Sequence, residues 1–227
     1  MNYVTSDLHG EDEKFEQLLR LIRFSSSDKL FVIGDVIDRG KEPIKLLLKI
    51  MRMENVELIL GNHEEMMLRA VKYGGRWKDI WFANRSRKTA VDFLSLSNNV
   101  QQQVVEFLDS LPLSMDLFCE GENYHLVHGW PSEDDHCKLW GRPTKESVNP
   151  LIDTKLLVGH TPVPLILHQD GLQQNLYLQE LKRKKEHLRI FHGCGGWYGL
   201  DTGNSYRMPG SCLSCLRLED QEEFYVI

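Results

Sequence analysis

Asp7, His9, Asp35, Asp38, Arg39, Asn62, His63, His128 and His160 are the side chains of this 227-residue sequence best placed to do chemistry. They fall in five short clusters, "DLHG", "GDVIDRG", "GNHE", "HG" and "GHT", each at the end of an apolar run. The run Leu30 to Ile33, for example, ends in Gly34 and then meets two acids and an arginine. A buried strand gains nothing from charge at its tip, where an unpartnered carboxylate loses its hydration. Collected, the clusters offer two carboxylates, one amide and three or four imidazoles, with no sulfur. Such donors suit manganese, iron or zinc better than a thiolate site. Six or more donors are too many for one tetrahedral zinc. They suit two ions that share a carboxylate, lie ~3.5–4 Å apart and activate water for in-line attack on phosphorus. Each cluster alone is a weak signal, since an Asp after a strand is usually a helix cap and a lone His is usually structural. Their order and their common position carry the inference.

The elements that must position these residues follow from hydrophobic spacing. Tyr3 to Thr5, Leu30 to Ile33 and Val56 to Leu60 read as strands, separated by an amphipathic helix through Phe15, Leu18, Leu19 and Ile22 and by a helix starting at Pro43. Strands alternating with helices imply a parallel sheet, whose carboxyl ends form a ligand crevice. From His63 to Ser110 the pattern is helical, with "YGGRW" as a loop. Further strands fit Met115 to Phe118, Tyr124 to His128, Lys155 to Val158, Ser211 to Leu218 and Glu223 to Ile227. The stretch "NLYLQELKRKKEHLRIF" fits either a helix or a charged hairpin, and "GCGGWYG" reads as a flexible surface loop. The expected architecture is one α/β domain over residues 1–227, two sheets packed face to face with helices outside.

Composition narrows the function. A net charge of −6 argues against a general nucleic-acid binder. Two divalent cations would nevertheless make a pocket positive inside an acidic protein. The N-terminal "MNYVTSDLHG" lacks a signal-peptide pattern, and no apolar run approaches the ~20 residues of a membrane span. The five cysteines are odd in number and scattered, so a reducing, cytoplasmic setting is expected, with Cys212 and Cys215 as core residues. "KRKK" at Lys182 to Lys185 reads as a solvated face, and His125 as structural.

The five motifs, with "LDTG" at Leu200 to Gly203, resemble those of the phosphoprotein phosphatase family of calcineurin-like metallophosphoesterases. The compact bacterial and phage-type members, including the dinucleoside tetraphosphate hydrolases, are the most similar. The resemblance implies the family fold, two mixed β-sheets packed as a sandwich flanked by helices. It also implies two divalent metal ions, manganese first, with iron and zinc as alternatives. Asp7 and His9 would hold one ion, Asp35 would bridge both, and Asn62, His128 and His160 would complete the second. His63 would be the general acid, positioned by Asp38, and Arg39 and Arg142 would grip phosphate oxygens. The expected activity is a metal-dependent phosphoesterase acting on a phosphorylated protein, as a serine/threonine phosphatase, or on a small phosphate ester. The alternative is hydrolysis of dinucleoside polyphosphates or related phosphoanhydrides. A catalytically silent phosphate-binding module is disfavoured, because it has no chemical need for Asp7, His9, Asp35, Asp38, Arg39 and His63 together. The chain departs from the family in "ANRSRKT", in Trp130 after "HG", and in a long segment from Gln169 to Trp197. Arg85, Arg87 and Lys88 in the first of these either extend the pocket mouth for multiply charged substrates or simply begin a solvated helix.

Overall fold

In the computed structural model, which describes residues 1–227, the first three apolar runs become parallel strands with helices between them. β1 (Asn2–Ser6) leads to α1 (Asp12–Leu21), β2 (Lys29–Ile33) to α2 (Pro43–Ile50), and β3 (Val56–Ile59) to α3 (Asn62–Tyr73). Helix α1 buries Phe15 and Leu18 on one face, with Ile22 just beyond its end. Helix α2 starts on Pro43, whose fixed φ suits the first turn and whose missing N–H is not needed there. It buries Ile44, Leu46, Leu47 and Ile50. Each such aliphatic side chain contributes about 1.5–3 kcal/mol relative to exposure. Three helices follow, α4 (Arg76–Ala83), α5 (Arg87–Leu94) and α6 (Asn98–Ser110).

The second half alternates shorter pieces: β4 (Ser114–Cys119), β5 (Glu122–Val127), α7 (Asp135–Trp140), β6 (Thr154–Val158), α8 (Val163–Leu167), α9 (Gly171–Lys184), β7 (Phe191–Gly193), β8 (Trp197–Gly199), β9 (Leu213–Arg217) and β10 (Glu223–Val226). Two mixed five-stranded sheets result, in the orders β10-β9-β1-β2-β3 and β4-β5-β6-β8-β7. Three neighbouring strands of each run parallel, β1 with β2 and β3, and β5 with β6 and β8. Alternation along β2 sends Leu30 and Val32 into the core beneath the helices. Phe31 and Ile33 enter a second core, shared with Tyr124, Leu126 and Leu157 of the other sheet. A one-residue slip would exchange these faces, so burial on both sides pins the register and with it the strand tips.

Two local readings need correction, one ambiguity is resolved and two short helices are added. "GCGGWYG" is not a surface loop: β7 and β8 pair antiparallel across Gly195 and Gly196, both at positive φ, and Trp197 is fully buried. Strands of three residues rich in glycine are too short to show a period-two pattern. Helix α4 starts inside "YGGRW", at Arg76. The ambiguous charged stretch is helix α9 as far as Lys184, which ends where Lys185 takes a left-handed conformation. The short helices α7 and α8 carry too few turns to be read from spacing. Cys212 and Cys215 are fully buried, as expected of core residues.

Candidate active site

The tips of the two sheets meet, and backbone hydrogen bonds tie them. The His9 N–H donates to the Asp35 carbonyl (2.8 Å) and the Gly159 N–H to the His128 carbonyl (3.0 Å). Across the sheets, the His160 N–H donates to Asp7 Oδ2 (3.0 Å). Gly34, at φ +67°, makes the meeting possible, since a Cβ there would lie 2.6 Å from His128 Nδ1 and from the Gly61 Cα. Thirteen non-glycine residues have positive φ, and six of them are Asp7, His9, Asp35, Asp38, Arg39 and His160. Left-handed backbone costs a non-glycine residue of order 1–3 kcal/mol and persists where surrounding contacts over-determine it. The strain is concentrated where the chain must aim its chemistry.

His128 and His9 are each fixed through Nδ1 and turn Nε2 towards the carboxylates. His128 Nδ1–H donates to the Ile33 carbonyl (2.9 Å), leaving Nε2 at 2.9 Å from Asn62 Oδ1 and 3.3 Å from Asp35 Oδ1. His9 Nδ1–H donates to the Ile37 carbonyl (3.0 Å), and its Nε2 lies 3.6 Å from Asp35 Oδ2 and 3.8 Å from Asp7 Oδ1. His160 Nε2 is buried with no hydrogen-bond partner. Ring N–H groups tied to carbonyls, with the other nitrogen facing carboxylates, is how proteins hold a metal-binding histidine. Two groups of donor atoms, each within 4.8 Å of one another, have Asp35 in common: His9 with His63, and His128 with His160. The residues present therefore fit a pair of cations. His63 enters the first group although the sequence assigns it another task.

The geometry shows how that ring is held. His63 Nδ1–H donates to Asp38 Oδ2 (2.6 Å), so its Nε2 points towards the site. Asp38 is fully buried and also accepts from Trp81 Nε1–H (3.0 Å) and Thr89 Oγ1–H (2.5 Å). Arg39 lies across the open side, its Nη1 donating to His9 Nε2 (2.9 Å) and its Nη2 to His63 Nε2 (3.0 Å). The ring of Tyr206 supports it, 4.6 Å from the guanidinium carbon. Arg142 stands apart at the edge, close enough for its charge to act on His160. Arg85, Arg87 and Lys88 are exposed; the Arg85 carbonyl accepts from the Arg39 N–H (3.2 Å), and Lys88 pairs with Asp92. His125 pairs with Asp116 away from the site.

The electrostatics ask for positive charge at the centre. Burial alone would raise Asp35, yet His128, His63 and His9 hold it well below the usual carboxylate range. Burial alone would lower His128, yet Asp35 lifts it to about 10. His160 is pushed well down by burial, His128 and Arg142. Burial and the neighbouring Asp35 raise Glu64 to about 7, and burial raises Asp201 to about 6.

Some functional residues were not legible beforehand. Glu64 stands in the "GNHE" motif but received no role. Its two oxygens accept the N–H groups of Asp35, Val36, Ile37 and Gly61 at 2.9–3.1 Å, so one buried carboxylate shapes the whole second loop. Its place three residues after Gly61 at a helix start was the available signal. Asn204 donates to the carbonyls of Asp7 and Leu8 and steadies the first loop. Trp81 and Thr89 left no sequence signal.

The calcineurin-like phosphoesterase family model matches residues 3–222. The chain belongs to this family. Its two sheets with flanking helices are the family fold. It is similar to the symmetrical bis(5'-nucleosyl)-tetraphosphatase of Chromobacterium violaceum, 31% identical over 98% of this chain and 93% of that one. It is also similar to serine/threonine-protein phosphatase 2 of Escherichia coli K12, 28% identical over 64% of each chain. Other tetraphosphatases are matched in part, and this chain spans 46% of the length of the two from Acidovorax. Among solved structures, a metallophosphoesterase from Sphaerobacter thermophilus shares the fold at a TM-score of 0.58 and 15% identity, covering 99% of this chain and 87% of that one. No helix of this phosphoesterase is long and apolar enough to cross a membrane.

Proposed function

We propose that residues 1–227 form a single two-metal phosphohydrolase domain, with manganese as the first choice of ion and iron or zinc as alternatives. The observation that carries the reading is the pair of donor groups sharing Asp35. Asp7, His9 and Asp35 would hold one ion, and Asp35, Asn62, His128 and His160 the other. Bound there, the ions would neutralise phosphoryl oxygens and supply a water nucleophile at neutral pH. The remaining work falls to the chain's own side chains. The Arg39 fork, which contacts His9 Nε2 and His63 Nε2, would turn its two donors to phosphate oxygens entering the site. His63 Nε2 gives a proton to the departing oxygen, while Asp38, bonded to Nδ1, fixes the ring. Arg142 adds a second cation at the edge of the site.

Two substrate classes share this core. Hydrolysis of a nucleoside polyphosphate is the better supported, because the relative matched over nearly the full length of both chains is a tetraphosphatase. A serine/threonine phosphatase is the second reading, supported by the relative in Escherichia coli. Manganese-loaded protein, assayed side by side on diadenosine tetraphosphate and a phosphoserine peptide, should favour the dinucleotide. Faster turnover of the peptide would reverse the order, and no manganese-dependent turnover of either would overturn the reading.

A further inference from the structure

Beside the site, a cavity of about 290 Å³ opens between the loop after α7 and the α8–α9 segment, lined by Arg142, Thr161, Leu165, Gln169, Gln174 and Tyr206. Thr161 directly follows His160, is 1% exposed, and its Oγ1 has no hydrogen-bond partner. A buried hydroxyl left unpaired is costly and calls for a polar group in the cavity it faces. The arginine ion pairs of the chain use Arg20, Arg69, Arg183 and Arg217, so Arg142 is uncommitted. No carboxylate lines the cavity. The two glutamines present the opposite polarity. Gln169 Nε2–H donates to the Leu165 carbonyl and Gln174 Nε2–H to the His168 carbonyl, both at 2.7 Å. Each amide oxygen is then left as an acceptor. Tyr206 joins the cavity to the reacting centre, because its ring carries the Arg39 guanidinium that reaches His9 and His63.

We infer that this cavity is a leaving-group subsite in which Gln169 and Gln174 of the α8–α9 segment act as specificity-determining residues. Arg142 and the Thr161 hydroxyl take a second phosphate. The glutamine oxygens take hydroxyl or amine donors, and Leu165 and Tyr206 flank an apolar or planar part. The class of substrate is a compact group bearing both a second phosphate and hydrogen-bond donors. A phosphoserine on a peptide offers backbone N–H donors but no second phosphate. The inference rests on the two-metal reading of the neighbouring site and adds to it the long segment that sets this chain apart.

The test uses full-length, manganese-loaded protein and the double variant Gln169→Ala/Gln174→Leu, with the single variant Gln174→Leu beside it. Gln169 is exposed and Gln174 half-buried, so both replacements are compatible with folding, which the melting temperature checks. The ratio of kcat/KM for diadenosine tetraphosphate to that for p-nitrophenyl phosphate should fall about tenfold in the double variant, equal to about 1.4 kcal/mol. The fall should come through KM. A ratio held at the wild-type value, whether both rates drop together or neither does, overturns the subsite while leaving the metal centre intact. Wild-type protein that turns over neither substrate overturns the reading of the centre, and the subsite falls with it.

Discussion

Asp35 and Asp38 stand three residues apart, both buried and both on left-handed backbone, yet their surroundings are opposite. Around Asp38 the chain supplies its own donors: a ring N–H from His63, the indole N–H of Trp81 and the hydroxyl of Thr89. The Asp35 carboxylate accepts one well-formed hydrogen bond, from the backbone N–H of His63. The rest of its surface faces imidazole nitrogens at 3.3–3.9 Å. A carboxylate satisfied by its own fold can orient a neighbour. One that faces nitrogen lone pairs needs a cation between them. The contrast supports the proposed division, with Asp38 positioning a ring and Asp35 holding metal, without reference to any relative.

The strongest way to break the comparison is Asp35→Asn. An amide cannot join two cations as a carboxylate does, so turnover should fall at least roughly 10³-fold. Metal analysis of the purified variant should find most of the manganese gone; two ions retained per chain would remove the bridging role.

His63→Asn should act on the other side of the divide. Metal content should stay near wild type while kcat falls roughly 10²–10⁴-fold. The loss should shrink for aryl phosphates, whose leaving groups need less protonation. Equal losses on aryl and alkyl phosphates would contradict the general-acid assignment.

Trp81→Phe and Thr89→Val each remove one donor from Asp38 and should lower kcat about tenfold, a change of about 1.4 kcal/mol in the barrier. Thr89→Ser should restore the rate, because it returns the hydroxyl. The defect should show the same leaving-group dependence as His63→Asn. A defect insensitive to the leaving group would mean that the clamp only holds the fold together.

Asp12 sharpens the comparison at its small end. It is a buried carboxylate between α1 and α2, paired with Lys45 and Lys49, whose influence outweighs burial and lowers its pKa. A depressed acid stabilises the fold above its unfolded value and loses that contribution as pH falls through the folded one. Asp12→Asn should therefore cost about 1 kcal/mol or less at neutral pH, since the lysines reach water. Melting curves of wild type and variant should converge in acid, well below the unfolded aspartate value near 3.9. Divergence in acid would reverse the sign.

Much of the centre was legible because it lies at strand tips. Alternating burial fixes where each strand ends, and a polar residue there has no structural reason to be ionised. Asp7, His9, Asp35, Asn62 and His63 follow from three adjacent parallel strands of one sheet. His128 and His160 were each visible as single residues beside a glycine, but their meeting with Asp35 depends on how the second sheet packs on the first. Arg142 was named from a short motif and lies at the edge, in a different cavity wall from Arg39.

The sequence by itself determined the strands, the loops that leave them and the inventory of donors, because those depend on local periodicity and residue chemistry. It could not assign the division of labour between Asp35 and Asp38 by local rules, since both read as acids after a strand. Tertiary structure decided that division by bringing Trp81 and Thr89, 43 and 51 residues away, onto Asp38 and none of their kind onto Asp35. It also placed Gln169 and Gln174 beside Thr161, and buried Trp197 in an edge hairpin where spacing suggested a loop. The physical reason is common to all three cases. Hydrogen-bond satisfaction and burial are set by which surfaces meet, and residues far apart in the chain leave no periodic trace of that meeting.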